Sequence, residues 1–306
     1  MTAAANPLPF YKYVPLAGLR RLLAGSIRFT QPSAFNDPFE FLPEIGGMMQ
    51  PDAARRDIAF DLQAPRRTLE DRHRVRPVSD DYAVNDSIAR DLADRLNERI
   101  GVFSLSRTDS SLLMWSHYAD QYAGAVVEFY GEHPFFEGWF DVSYADKRPQ
   151  WDVGFMTGAE PTPIADLCVK SDQWAYEREV RIVRSLADCT PAPDGGTARF
   201  PVFVQTLPQE AICAIILGER TPIPDQREIY RQLRPTAIAL VLAAISHNGF
   251  EFRRETVKFN APAAAMGPVL TPRTANIFSE DDTPLGEIAR LLLAGHPMSP
   301  LVNRTV

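Results

Sequence analysis

The sequence predicts an α+β fold: one mixed, mostly antiparallel sheet body with flanking helices, and a C-terminal tail that carries a helix. Three observations predict it. Short stretches with alternating character, such as Ile27–Thr30, Trp139–Tyr144 and Val180–Ile182, have the period of strands. Ile88, Leu92, Leu96 and Ile100 recur every fourth position, the pattern of an amphipathic helix. Ala211–Leu217 is a continuous apolar run ending at Gly218, as a strand buried on both faces would be.

Taken in order, aromatic Phe10–Tyr13 reads as a strand. Pro15 then opens a helix, where its missing N–H costs nothing. Leu16, Leu19, Leu22 and Leu23 form the apolar face of that helix, and Gly25 ends it. A strand at Ile27–Thr30 leads into the loop Gln31–Phe41, stiffened by Pro32 and Pro38. Residues 46–87 read as an irregular insertion. They include the basic cluster Arg66, Arg67, Arg72, His73, Arg74 and Arg76, read either as a solvated face or as a phosphate-binding flap. The helix from Ser87 to Ile100, capped by Asp86 or Ser87, feeds the strand at Val102.

Phe103–Phe129 then reads as strand, hydroxyl-rich turn, aromatic helix, glycine stop at Gly124, and strand. Such a turn is where sites are built, because a helix start presents unpaired N–H groups. Residues 145–163 and 188–196 read as loops, with a helical turn at 164–169 and a strand near Val180–Arg184. Phe200–Val204, Ala237–Ile245 and Phe250–Val257 read as further strands, and Asp225–Arg234 as a helix capped by Asp225. The expected domain spans residues 8–258. Residues 259–306 are expected to be a linker and a final helix, with Thr283 as cap, Pro284 at the first position and Gly295 past the end. Ile288, Leu291 and Leu292 of that helix would dock on the body or on a protein partner.

The chain has 306 residues, 45% hydrophobic and 23% charged, which is ordinary for a globular protein. A formal net charge of −7 argues against a general nucleic-acid or membrane coat. No apolar run reaches the roughly 20 residues that span a bilayer, and the N-terminus lacks signal-peptide character, so a cytoplasmic, bacterial protein is expected. Cys168, Cys189 and Cys213 are widely spaced and read as reduced thiols.

Residues that could carry chemistry fall into three groups. Met114, Tyr118 and Tyr122 share a helical face and read as core, while His117 beside them reads as a structural group or a catalyst. In Asn36-Asp37-Pro38-Phe39-Glu40, Asp37 either holds its own turn or joins Asn36 and Glu40 in a cleft. Glu177 and Glu179 either pair with Arg178 and Arg181 on a solvated strand or stabilise a cationic transition state; they share a face only if no helix–strand junction falls between them. No HExxH or similar spacing occurs, so no metal is expected.

Several segments together resemble a bacterial family catalogued as domain of unknown function 2971. They are Tyr11-Lys12-Tyr13, Ile27-Arg28-Phe29, Phe35–Glu40, Ser104-Leu105-Ser106, Met114–Ala119 with Gly124 and Glu128-Phe129, Lys170, Trp174–Arg181, Leu207-Pro208 and Ile216-Leu217-Gly218. The resemblance covers roughly residues 10–257. The opening strand, short helix and strand also resemble the start of ADP-ribosyltransferase-like domains, which carry a first-strand triplet, a middle serine segment and a late acidic residue. That second resemblance implies NAD as cofactor, with Tyr11, Lys12, Tyr13, Ser104 and Ser106 contacting it; the reading of the loop residues adds Asn36, Asp37 and Glu40 as cofactor-binding candidates. The resemblance makes Glu177 or Glu179 the late acidic residue, and His117 joins them as a catalytic candidate from its place in the helix after the serine turn. The implied activity is transfer of ADP-ribose to a protein or nucleic-acid acceptor, as in a toxin or phage-defence effector. The first strand departs from the pattern, having Lys12 but no His or Arg. Two other readings stand beside it: a non-catalytic sensor or adaptor, and a hydrolase or nuclease using Asp37, Glu40, His117 and Glu128.

Overall fold

The computed structural model describes residues 9–46, 60–63, 82–152, 162–197 and 200–297. The architecture is α+β. The chain clusters into two compact units: the first contains the segments before Gly25, Arg107–Phe135 and from Leu207 onward, the second Ser26–Ser106 and Phe136–Thr206.

In the first unit five strands lie side by side in the order Phe252–Lys258, Ala239–Ile245, Ile212–Leu217, Ala125–Phe129, Phe10–Val14. All neighbours are antiparallel except Ile212–Leu217 and Ala239–Ile245, which run parallel. Parallel neighbours need a crossover, and the helix Ile223–Leu233 lies between them in the chain. It starts earlier than the sequence suggests: Asp225 sits in its first turn rather than at its cap, and accepts a hydrogen bond from Arg20 at 2.6 Å. Both parallel strands are apolar because they are buried, with Ile215, Leu217 and Leu240 fully covered.

The stretch expected to be a linker is instead packed. Thr274, Ala275, Ile277 and Phe278 are fully buried, and Phe278 meets Tyr230 edge-on at 4.8 Å. Arg227 donates to the carbonyls of Ile277 and Asn276 at 2.9 and 3.1 Å. A composition rich in Ala, Pro and Thr hides the few apolar residues that anchor this segment. The last helix, Pro284–Gly295, is capped by the Thr283 side chain, which accepts from the Gly286 N–H at 3.3 Å. Ala289 faces inward, while Ile288 and Leu291 are exposed.

Gly218 ends the strand Ile212–Leu217 where the backbone of Tyr122 comes close. A Cβ there would stand 2.0 Å from the Tyr122 carbonyl oxygen. Tyr122 itself has φ +73°, the last of three consecutive residues in the left-handed region. Gly218→Ala is therefore expected to cost at least about 2–3 kcal/mol, because backbone rather than a flexible side chain must give way. Thermal denaturation checks this; an unchanged midpoint would contradict it.

In the second unit, Ile100–Ser106, Glu179–Ser185 and Trp139–Asp141 form an antiparallel set with Glu179–Ser185 central. Thr190–Thr197, Phe200–Thr206 and Ser26–Phe29 form another. Thr190–Thr197 was expected to be loop; its prolines are tolerated because it pairs on one side only, as an edge strand. Three short parallel pairs complete the unit: Glu44–Gly46 with Gln150–Asp152, Ser143–Ala145 with Val169–Ser171, and Phe60–Asp61 with Thr162–Pro163. Two of them draw strands from a stretch, 145–163, expected to be loop. The helix Tyr82–Arg99 begins before the expected cap, and Asp86 instead pairs with Arg90 one turn on, at 2.7 Å. Its Leu92 and Leu96 are fully buried against a core that includes Phe41, Trp151, Ile164 and Leu167. Burying each such leucine stabilises the fold by about 1.5–3 kcal/mol. The basic cluster Arg66–Arg76 lies outside the described residues. No helix among the described residues is long and apolar enough to cross a membrane.

Candidate functional site

The chemistry-bearing residues divide between the units. Tyr11, Lys12, Tyr13, His117 and Glu128 belong to the first, and Asn36, Asp37, Glu40, Ser104, Ser106, Glu177 and Glu179 to the second.

In the first unit Tyr11 and Glu128 are register partners on neighbouring strands. Arg254 gathers them: it donates to Tyr11 Oη at 3.4 Å, lies 2.7 Å from Glu128 and donates to Asp109 at 2.7 and 2.9 Å. Burial, then the charges of Glu128 and Asp109, push the Tyr11 hydroxyl up to about 12. Tyr13 donates to the Thr108 carbonyl at 3.1 Å and packs edge-on against Trp115. Lys12 is half-buried. Trp115 is buried and donates its indole N–H to the Asp109 carbonyl at 2.8 Å, whereas Tyr118 is only half-buried. Of the Met114, Tyr118 and Tyr122 set only Met114 is buried; the helix Leu112–Tyr118 also turns Trp115 inward, and Tyr122 lies beyond its end. His117, in its last turn, is exposed and lies beside the Tyr118 ring.

The second unit holds a buried ionic cluster. The helix–strand junction falls between Glu177 and Glu179: Asp172–Glu177 is a 3-10 helix, Arg178 takes φ +46°, and the strand begins at Glu179. The break lets both carboxylates turn toward Lys170. Lys170 Nζ donates to Glu177 at 2.7 Å and Glu179 at 3.5 Å, and lies 3.3 Å from Glu40. Arg181 grips Glu179 through two hydrogen bonds, of 2.8 and 3.0 Å, and also donates to Glu40. The strand expected to have one solvated polar face is buried from Glu179 to Val183, and Arg181 is 0% exposed.

Aromatic rings complete the surroundings. Arg181 sits 5.3 Å from the ring centres of both Phe35 and Phe41, and Lys170 sits 4.7 Å from that of Trp174. Phe41 holds φ +56° although it is bulky and buried, a conformation that costs on the order of 1–3 kcal/mol and persists only when packing enforces it. It follows Glu40 directly, so the strain sits beside the carboxylate. Ser106 donates to the Glu177 carbonyl at 2.6 Å, the Ser104 hydroxyl bonds to Glu179, and Tyr144 Oη receives the Glu179 N–H at 2.7 Å. Asp37 caps its own turn by accepting from the Phe39 N–H at 3.0 Å. Asn36 is exposed.

Three carboxylates therefore face two cations, which leaves one negative charge in excess when all are ionised. The groups do not share it equally. Burial pushes Glu179 up, but Arg181, Lys170 and Ser104 outweigh it and hold the carboxylate at about 2. Burial dominates at Glu40, which is raised despite Arg181 and Lys170. Burial lowers Lys170, but the three glutamates raise it further, so it stays protonated. Glu40 is thus more readily protonated than Glu179.

A pH dependence follows. Glu179 is lowered from 4.5 to about 2 on folding, so its contribution is present above 4.5 and lost as pH falls toward about 2. Lys170 is raised above 10.5, so its contribution is present below 10.5 and lost as pH rises through its folded value. Stability of the second unit, followed by the fluorescence of buried Trp151, is expected to fall between pH 4.5 and 2. Glu179→Gln is expected to flatten that slope; an unaltered slope would contradict the assignment.

Glu40 and Lys170 line a cavity of about 230 Å³ together with Asp37, Lys147, Arg148 and Ser171. A buried carboxylate oriented by two cations thus opens on a pocket whose wall carries two further basic residues. No spacing in the sequence marks Lys170, Lys147 or Arg148 as site residues, and the pattern around Arg181 is that of a solvated strand. Among the described residues no group of three or more His, Cys, Asp or Glu side chains could hold a metal ion. Cys168, Cys189 and Cys213 form no disulfide, and Cys168 is buried.

No family model, curated protein or solved structure matches the chain.

Proposed function

We propose that the second unit is a glycosyl-transfer site that takes NAD and passes its ADP-ribose to an acceptor, with Glu40 as the carboxylate that faces the reacting sugar. The observation that carries this reading is that Glu40, 6% exposed and held by Arg181 and Lys170, lines the cavity. Breaking the bond between ribose C1′ and the nicotinamide nitrogen builds positive charge on the sugar, and a fixed carboxylate stabilises it. Nicotinamide leaves as a neutral molecule with the bonding pair, and the acceptor bonds to C1′.

The lining fits the donor by charge. Asp37 and Glu40 suit the cationic nicotinamide riboside, and Lys147 and Arg148, which together outnumber the neighbouring Asp146, suit the diphosphate. A volume of about 230 Å³ suits that half of the molecule, with the remainder outside. In this scheme Glu177 and Glu179 are positioning residues: they fix Lys170 and Arg181, which in turn fix Glu40. Ser104 and Ser106 hold the glutamates in place rather than touching the substrate.

The test is nicotinamide release from NAD by the purified protein, with cell lysate supplied as acceptor. Release is expected, and Lys147→Ala and Arg148→Ala are expected to raise KM more than they lower kcat. Absence of release with lysate present would overturn the proposal. A second reading, a non-catalytic adaptor, rests on one observation: Ile288 and Leu291 stand exposed on the last helix, where a protein partner would cover them.

A further inference from the structure

We infer that the acceptor of this transfer is a cationic protein side chain, received in a second pocket of the same unit that shares Glu40 with the first. This rests on the donor reading above. The second cavity, of about 300 Å³, again includes Asp37 and Glu40 in its wall; the rest of its lining comes from the Pro32–Leu42 segment and the helix Tyr82–Arg99. Apart from Asp37 and Glu40 the two linings have no residue in common. The Asp37–Glu40 turn is therefore a wall of both, and a transferase needs such a wall: a donor on one part of a carboxylate and an acceptor on another.

Charge and shape select the acceptor class. The second cavity has apolar walls from Phe35, Leu42 and Ala93, and carboxylates from Asp37, Glu40 and Asp94. Its one basic residue, Arg90, is paired with Asp86 at 2.7 Å. Phosphate groups would meet net negative charge there, whereas a guanidinium or ammonium on an apolar stem would meet carboxylates and the Phe35 ring. The Phe35 ring already stands 5.3 Å from the Arg181 guanidinium, which shows what such a ring accepts.

The step balances. The acceptor nitrogen bonds to C1′ as the bond from C1′ to the nicotinamide nitrogen breaks, and nicotinamide departs neutral with that electron pair. The proton lost by the acceptor nitrogen passes to the Glu40 carboxylate and then to water. Burial raises the affinity of Glu40 for a proton, consistent with this role.

The experiment uses labelled NAD with three acceptors in parallel: poly-arginine, poly-lysine and a single-stranded oligonucleotide. Label is expected on a basic peptide and not on the oligonucleotide. Ala93→Trp, which fills the second cavity, and Asp94→Lys, which reverses its charge at an exposed position, are expected to lower peptide labelling at least about tenfold more than they lower nicotinamide release. Release accompanied by label on the oligonucleotide, or by equal losses of labelling and release in both variants, would overturn the acceptor inference alone. No release from the wild-type protein would overturn the donor reading, and this one with it.

Discussion

Replacing Arg181 by methionine is expected to destabilise the second unit by about 3–5 kcal/mol, the range for removing one partner from a buried ion pair. The side chain is fully buried and donates to both Glu179 and Glu40. Without it three buried carboxylates remain around Lys170 alone. Methionine keeps the contact with Phe35 and Phe41 but supplies no charge. Urea denaturation measures the loss. A second substitution, Glu179→Gln, removes the carboxylate that Arg181 grips most fully, so the double variant is expected to be more stable than the sum of the single losses predicts. Strict additivity would mean that the two residues are not coupled.

Glu40→Gln is expected to act in the opposite sense on stability and activity. Glutamine keeps the shape, but Arg181 meets Oε2 and Lys170 meets Oε1, so its one oxygen keeps only one of these contacts and the loss of the other is set against the relief of charge. The substitution removes the excess negative charge, leaving two carboxylates against two cations. At Glu40, unlike at Glu179, burial outweighs the two cations and disfavours the ionised form. The variant is therefore expected to be as stable as the wild type or more so. Nicotinamide release is expected to fall by about 10²–10³-fold, the scale for losing one preorganised electrostatic contact to a transition state. That loss is expected in both KM and kcat, because the charge meets the cationic nicotinamide riboside in the ground state and the sugar cation in the transition state. A gain in stability on removing a site residue is the usual mark of a group held in place for function.

The sequence made local periodicity legible. The spacing of Leu92 and Leu96 marks a helix face that is fully buried, and the strand, turn, helix and strand around Ser106 and Gly124 stand where the pattern puts them. What it could not show is where a charged residue on a strand points. Arg181 between Val180 and Ile182 has the same pattern whether its face meets water or buried carboxylates. The partner that decides, Glu40, lies 141 positions away. Lys170 carries even less signal, a single lysine between Val169 and Ser171 in a three-residue strand. The packed segment around Ile277 and Phe278 was hidden for a related reason: a few anchoring residues outweigh a composition typical of linkers.

In the proposed function Glu40 is a carboxylate aligned by Arg181 and Lys170 toward a substrate. The most direct test of that role is nicotinamide release from NAD by the wild-type protein and by Glu40→Gln, with thermal midpoints measured on the same samples. That role predicts release by the wild type, a loss of about 10²–10³-fold in the variant, and a midpoint that is unchanged or higher. Equal release by the two proteins, or a loss of release that only accompanies a lower midpoint, would contradict it.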